Sequence, residues 1–399
     1  MNKQIKLFPL LLASMLCAAT MQIFAVVIGP ISRALSMPEW QSGLMVTMAG
    51  FVWLMTSRAW GIKSDRLGRK KILLWGSLGL TLSYLGLAIF TEYSLQNHNE
   101  IWVMLLIFIV LRGMMGGFFA AIPVANSALI ADHYEPATRG PKMALLGASN
   151  GFGLVLGPLM ASFIVGDGLT HPLFLGGFLA MLALLIVYFG LPQTQVISAA
   201  PKATVRLFDP RLRLPMLSAF ISMSCVITCQ IVVGFFCLDV LHLDNQSAAK
   251  VSAQAMASVG VALIFTQIVI TKLVYIQPKT WLSTGTLIAA IAMVLMFWVS
   301  TPIHLMAVYA LIAVGLGMVF PSIQTLAANA VTNSEQGVAA GSLGAAQAMG
   351  TCLAPLAATL IYTLSPSLPY LLFGLSLAVL SVFSFYSATD TSAKEMLEN

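Results

Sequence analysis

Long apolar runs, each closed by a short polar break, recur from Leu7 almost to the end of the chain. Each is near the ~20 residues that a helix needs to cross hydrocarbon, and none shows the ~10-residue alternation of a membrane barrel strand. Hydrocarbon offers backbone amides no partner, so segments of this length close their hydrogen bonds internally, as helices. Twelve spans are predicted. They lie near residues 7–31, 41–60, 72–91, 101–126, 143–165 and 173–191, then 214–238, 251–274, 280–300, 304–328, 339–362 and 368–387. The longest polar connection follows the sixth and carries Lys202, Arg206, Arg211 and Arg213. It divides the chain into a six-helix bundle over 1–191, a central cytoplasmic linker over 192–213 and a second six-helix bundle over 214–399. The expected fold class is all-α, integral to the membrane, with twelve transmembrane helices.

Composition agrees: 59% of the 399 residues are hydrophobic and only 9% charged, against roughly 25% charged in a soluble domain. The lysines and arginines set the orientation, because cytoplasmic loops retain positive charge. With both termini cytoplasmic, 17 of the 20 cations fall inside, Arg33 and Lys250 fall outside, and Arg112 lies within a span. The net charge of +6 is this bias in bulk, and it implies anionic lipid headgroups as neighbours rather than nucleic acid. Residues 1–19 imitate a secretory signal, but the apolar run continues to Ile31 and further spans follow, so this segment reads as the first span. The five cysteines all fall in apolar runs, where a thiol serves as a small hydrophobe. No cofactor or metal site is expected.

The two halves repeat. Pro123 falls on Pro321 at an offset of 198, while Gly140, Gly147, Gly153, Pro158 and Ala161 fall on Gly337, Gly344, Gly350, Pro355 and Ala358 at an offset of 197. Parallel duplication of a six-span unit builds one class of transporter, with cargo bound near the bilayer midplane.

Three motifs carry chemistry. After the second span, Gly61-Ile62-Lys63-Ser64-Asp65-Arg66-Leu67-Gly68-Arg69-Lys70-Lys71 sets a carboxylate among cations and between two glycines. Gly61 and Gly68 suit a tight turn and close helix approach, and Asp65 suits an arginine or a helix N-terminus. The equivalent second-half loop, Tyr275 to Lys279, lacks this pattern. Arg112 stands about eleven residues into its span, roughly 16 Å deep at 1.5 Å per residue, where a charge is costly and faces a cavity or partner. In the fifth span Gly147, Gly151, Gly153 and Gly157-Pro158 place small residues for close packing and a proline for a bend.

These motifs resemble those of the major facilitator superfamily: the loop matches its signature at every defining position, and the fifth span resembles the antiporter motif of its drug exporters, with Ala161-Ser162 replacing a final glycine pair. The resemblance implies an alternating-access secondary transporter, with Gly61, Asp65, Arg66, Gly68 and Arg69 forming a conformational switch. It also implies proton coupling through Arg112 and antiport through the Gly147–Pro158 helix. That family's cation exporters commonly carry a membrane-embedded acid, and here no acidic residue lies mid-span; Asp132 and Glu39 are the nearest candidates for a proton carrier. Amides do lie at depth: Gln22, Asn126, Asn150, Gln230, Gln324 and Gln347, in three pseudo-symmetric pairs, suit a neutral or hydroxylated cargo or interhelical bonding.

The expected function is proton-coupled export of a small neutral or anionic organic compound, such as an antibiotic, metabolite or siderophore, across a bacterial inner membrane. Cationic multidrug efflux and proton-coupled uptake are the alternatives. An enzyme would need a nucleophile with its base, a metal cluster or a phosphate loop, and the chain has none of these patterns. The expected partners are cargo, protons and membrane lipids, and the expected state is a monomer.

Overall fold

The computed structural model describes residues 7–97, 100–134, 136–192, 209–273, 275–332 and 335–398. It is built of helices, with no β-strand among the described residues: α1 (Leu7–Ala34), α2 (Glu39–Leu67), α3 (Arg69–Gln96), α4 (Ile101–Phe119), α5 (Ala121–His133), α6 (Pro136–Ile164), α7 (His171–Gly190), α8 (Arg213–Asp239), α9 (Asn245–Lys272), α10 (Pro278–Leu295), α11 (Pro302–Asn329), α12 (Gln336–Tyr362) and α13 (Leu368–Glu398).

Eleven stretches among the described residues are helical, long and apolar enough to cross a membrane, α4 and α5 together counting as one. The helix that falls outside this set is α2. Its 29 residues suffice in length, but Glu39, Arg58, Lys63, Asp65 and Arg66, with Gln41, Ser42, Thr47, Thr56 and Ser57, dilute its apolar character.

The fourth predicted span, 101–126, needs correction. It runs to His133 and is interrupted at Ala120, whose φ of −53° and ψ of −31° stay helical. Pro123 has no N–H for the Phe119 carbonyl, so the ladder breaks there without a change of direction. Pro321, its partner in the repeat, sits inside an unbroken α11. Helix ends also outrun the apolar runs: α6 starts at Pro136 and α13 continues to Glu398. Apolarity marks the hydrocarbon thickness, whereas hydrogen bonding continues into the polar flanks. Of the predicted linker, Asp209–Leu212 is described as a cap and a short 3₁₀ turn leading into α8. Lys202 and Arg206 lie outside the described residues, as do Lys3 and Lys6.

The chain divides into two compact units, one holding α1 to α7 with Leu243–Gln254, the other holding α8 and α10 to α13 with the rest of α9. In the first, α1 packs on α6 and α7, and α3 on α4 and α7. In the second, α8 packs on α12 and α13, and α10 on α11 and α13. The pairing is the one the repeat register implies, and single glycines show it atom by atom. A Cβ on Gly153 would strike the α1 backbone at Met15 and Ala19; one on Gly350, 197 residues on, would meet Phe220 and Ser224 of α8. Likewise the Gly117 carbonyl of α4 accepts from Trp60 Nε1 of α2 at 2.7 Å, while the Gly317 carbonyl of α11 accepts from Gln267 Nε2 of α9 at 3.2 Å. Close backbone approach through small residues is how helices pack where lipid removes the hydrophobic drive.

Candidate functional site

Gly68 alone separates α2 from α3, with φ 92° and ψ 145°. A side chain is strained at that φ, so the turn requires glycine. Gly61 does not share this duty, contrary to the expected turn: it lies inside α2, with a Val124 methyl 3.7 Å from where its Cβ would sit, an ordinary contact. The sharp reversal at Gly68 makes Arg69 the first residue of α3 and folds it back under α2. Arg69, 8% exposed, donates Nε to Asp132 at 2.8 Å and Nη1 to Ser64 Oγ at 3.1 Å, and pairs with Asp65. One guanidinium thus ties α2, α3 and the end of α5. Asp132 sits at the negative pole of α5, where a carboxylate is disfavoured, and Arg69 offsets that. Arg66 is exposed.

The next cation has a role that its sequence context hides. Lys70 is buried and donates Nζ to the carbonyls of Tyr188 at 2.8 Å and Leu191 at 2.5 Å, closing the C-terminus of α7. Arg139 does the same for α5, donating Nη2 to the Ala131 carbonyl at 2.7 Å. Cations placed by topology therefore also satisfy the orphan carbonyls of helix ends.

Arg112, on α4, is 3% exposed. Its guanidinium carbon lies 3.9 Å from the centroid of the Phe24 ring of α1, and Nη1 reaches Met115 Sδ at 3.8 Å. No carboxylate pairs with it among the described residues, and its Nε is left without a partner. Tyr84 of α3 is also buried, and its ring packs where a Gly176 Cβ would stand. A desolvated cation on an aromatic face recovers about 2 kcal/mol, well short of what burying an unpaired charge costs. The result is a donor fork held in place with hydrogen-bonding capacity to spare.

The predicted amides separate into two groups. Ser14 of α1, which the sequence did not single out, donates to Asn150 Oδ1 of α6 at 2.7 Å and accepts from Asn126 Nδ2 of α5 at 3.1 Å. Asn126 and Asn150 therefore join three helices. Gln22, Gln230 and Gln347 are half-buried and Gln324 is exposed. Gln324 thus does not share the burial of Asn126, its partner in the repeat register. Of the candidate carriers, Glu39 pairs with Arg33 at 2.6 Å and Asp132 with Arg69. Trp53 meets Phe119 edge-on at 5.7 Å, while Phe235 and Phe236 are core residues, the first tilted against Tyr362 and the second edge-on to Tyr370.

On α6, a Cβ at Gly153 or Gly157 would collide with the backbone carbonyl of Met15 or Ala19 of α1. Gly147 and Gly151 have open space at the same test. Pro158 is buried beside Gly157 in a continuous helix. In the second unit no ion pair like that of the α2–α3 cluster occurs at the α9–α10 turn among the described residues; Arg211 instead bridges Asp209 at 2.7 Å and Glu335 at 2.9 Å. Arg211, joined by donors from Thr332, holds the Glu335 carboxyl down at about 2.

These features define a multi-pass helical membrane protein with a charged cluster at the α2–α3 turn and a buried arginine. The family profile of the Major Facilitator Superfamily matches residues 10–355 and again 255–397, and the chain belongs to that superfamily. It is a transporter, not an enzyme. It is 30% identical over 296 residues to the multidrug resistance protein MdtG of Citrobacter koseri, covering 71% of this chain and 69% of that one. It is 29% identical over 312 residues to MdtG of Salmonella paratyphi C, covering 74% and 72%. Among solved structures it is similar to a bacterial homologue of the human lysosomal transporter Spinster, inward-facing and occupied, with a TM-score of 0.74, 15% identity and 98% of each chain covered. It is also similar in fold to a D-xylose–proton symporter, with a TM-score of 0.73, 14% identity and coverage of 94% and 97%.

Proposed function

We propose that this chain is a proton-driven exporter of a small neutral or anionic organic compound in a bacterial inner membrane. In this reading twelve spans form two six-helix halves with both termini cytoplasmic, and the protein works by alternating access. The observation that carries the cargo class is Arg112: a buried guanidinium with no carboxylate among the described residues and an unused donor. Its planar fork fits carboxylate or phosphate oxygens, and it keeps its charge at any physiological pH. A lipophilic cation would want a buried carboxylate, whereas Glu39, Asp65 and Asp132 are each held by an arginine. The half-buried amides Gln22, Gln230 and Gln347 supply neutral cargo contacts in this reading, and Asn126 and Asn150 act as interhelical bonds.

The relatives' name, multidrug resistance protein, supports export, and it says nothing of cargo charge. Efflux from cells expressing the protein, measured for matched carboxylate, neutral and quaternary ammonium compounds, tests the reading. Carboxylate and neutral export is expected, and Arg112→Lys is expected to cut carboxylate export at least tenfold while sparing neutral export, because lysine keeps the charge and loses the fork. Strong ethidium efflux with no response to carboxylates would establish the cationic alternative.

A further inference from the structure

One cleft in the first unit belongs to none of the machinery above. It measures about 630 Å³ and is lined by Glu92 of α3, Ile164 of α6, and His171, Phe174, Leu175 and Phe178 of α7, a volume typical of small-molecule sites. Its walls are largely apolar and open outward: Phe174 is 37% and Phe178 53% exposed. Its depth follows from the helices. Lys70, at the start of α3, closes the end of α7, so the end of α3 meets the start of α7, and there Thr170 donates to Glu92. Glu92 stands 23 residues beyond Arg69, about 35 Å along α3, past the ~30 Å of hydrocarbon and at the far headgroup level.

Glu92 is the unexplained group. Its carboxylate accepts from the Thr170 hydroxyl and from Gln96 Nε2 at 2.8 Å, both neutral donors. Among the described residues no lysine or arginine pairs with it. A carboxylate has roughly four acceptor positions, so two remain, above an apolar slot that a membrane fills with acyl chain. His171, which lines the same cleft, is in the first turn of α7, the positive pole of that helix, where an anion is favoured. A carboxylate, a helix N-terminus that favours an anion and an apolar slot thus share one cleft between α3 and α7.

We propose that this cleft binds a phospholipid with a primary-ammonium head from the leaflet opposite the α2–α3 turn. The ammonium donates to Glu92, the phosphate lies against His171, and one acyl chain follows Phe174 and Phe178. A primary ammonium is favoured over choline because only the former has N–H donors for the free carboxylate positions. This site is separate from Arg112 and does not rest on the cargo assignment.

Native mass spectrometry of the full-length protein in mild detergent tests it. Phosphatidylethanolamine, its N-methyl and N,N-dimethyl forms, phosphatidylcholine and phosphatidylglycerol would be compared, all with the same chains. Phosphatidylethanolamine is expected to be retained at least tenfold above phosphatidylcholine, with retention falling at each added methyl, and Glu92→Gln is expected to remove the preference. Phe178→Ala is expected to weaken all five lipids alike, severalfold. Equal retention across the methyl series in the unmodified protein would overturn the proposal, whatever the variants do. So would an unchanged preference in a folded Glu92→Gln protein, or displacement of the lipid by micromolar tetraphenylphosphonium, which would make the cleft a cation site.

Discussion

Arg69 serves two carboxylates from two different helices, and each holds a different piece of the α2–α3–α5 junction. Asp65 is one turn away and fixes the α2–α3 reversal; Asp132 is 63 residues away and fixes the end of α5. Charge-assisted hydrogen bonds of this kind are worth about 1.5–3 kcal/mol each when shielded from water. Asp65→Asn removes one anion and leaves Arg69 paired with Asp132, so the protein is expected to insert and accumulate normally while transport falls at least tenfold. Membrane abundance on immunoblot beside efflux rate checks this, and normal transport in the variant would remove Asp65 from the switch. The residues around Asp65 were legible because the motif is contiguous. Asp132 as its second partner was not, because a pair across 63 residues leaves no local pattern. Ser14 was hidden for a related reason: a serine in an apolar run is common, and only the packing of α1 on α5 and α6 makes it the link between Asn126 and Asn150.

At the level of the helix, the apolar runs foretold every long helix except the division of α4 from α5, and they misplaced the ends, since hydropathy reports the bilayer and the hydrogen-bond ladder does not stop there. Ala120 marks the same limit: Pro123 was read as a repeat marker, yet its missing donor divides α4 from α5, while Pro321 leaves α11 whole. The α6 glycines were read as one set and are two. Gly157 faces the Ala19 carbonyl, a backbone atom that cannot rotate away, whereas Gly151 faces open space. Gly157→Ala is therefore expected to force α6 off α1, costing about 1–3 kcal/mol as overpacking, and to lower both the thermal midpoint in detergent and the efflux rate. Gly151→Ala is expected to be neutral or to raise stability by up to about 1 kcal/mol through helix propensity. Similar losses in the two variants would mean that α6 is constrained on a face other than the one meeting α1.

Across the whole molecule, cargo charge and driving force are linked through the membrane potential, which is worth about 2.3 kcal/mol per elementary charge per 100 mV. If one proton enters for each molecule exported, a monovalent anion moving out and a proton moving in carry two charges in the downhill direction, about 4.6 kcal/mol per 100 mV. A neutral cargo carries one charge, and a monovalent cation carries none, since the two movements cancel. The proposed function then makes an electrical prediction that needs no knowledge of the binding pocket. In vesicles holding a fixed pH difference, collapsing the potential with valinomycin and potassium is expected to slow carboxylate export more than neutral export, and an uncoupler is expected to stop both. The buried Arg112, with which no carboxylate pairs among the described residues, is what selects this outcome, because it places a permanent positive charge where a cationic exporter would want a negative one. Carboxylate export that ignores the potential while still responding to the pH difference would show electroneutral exchange, requiring a second proton site or a protonated cargo and removing the argument from Arg112. Export that survives the uncoupler would remove proton coupling altogether.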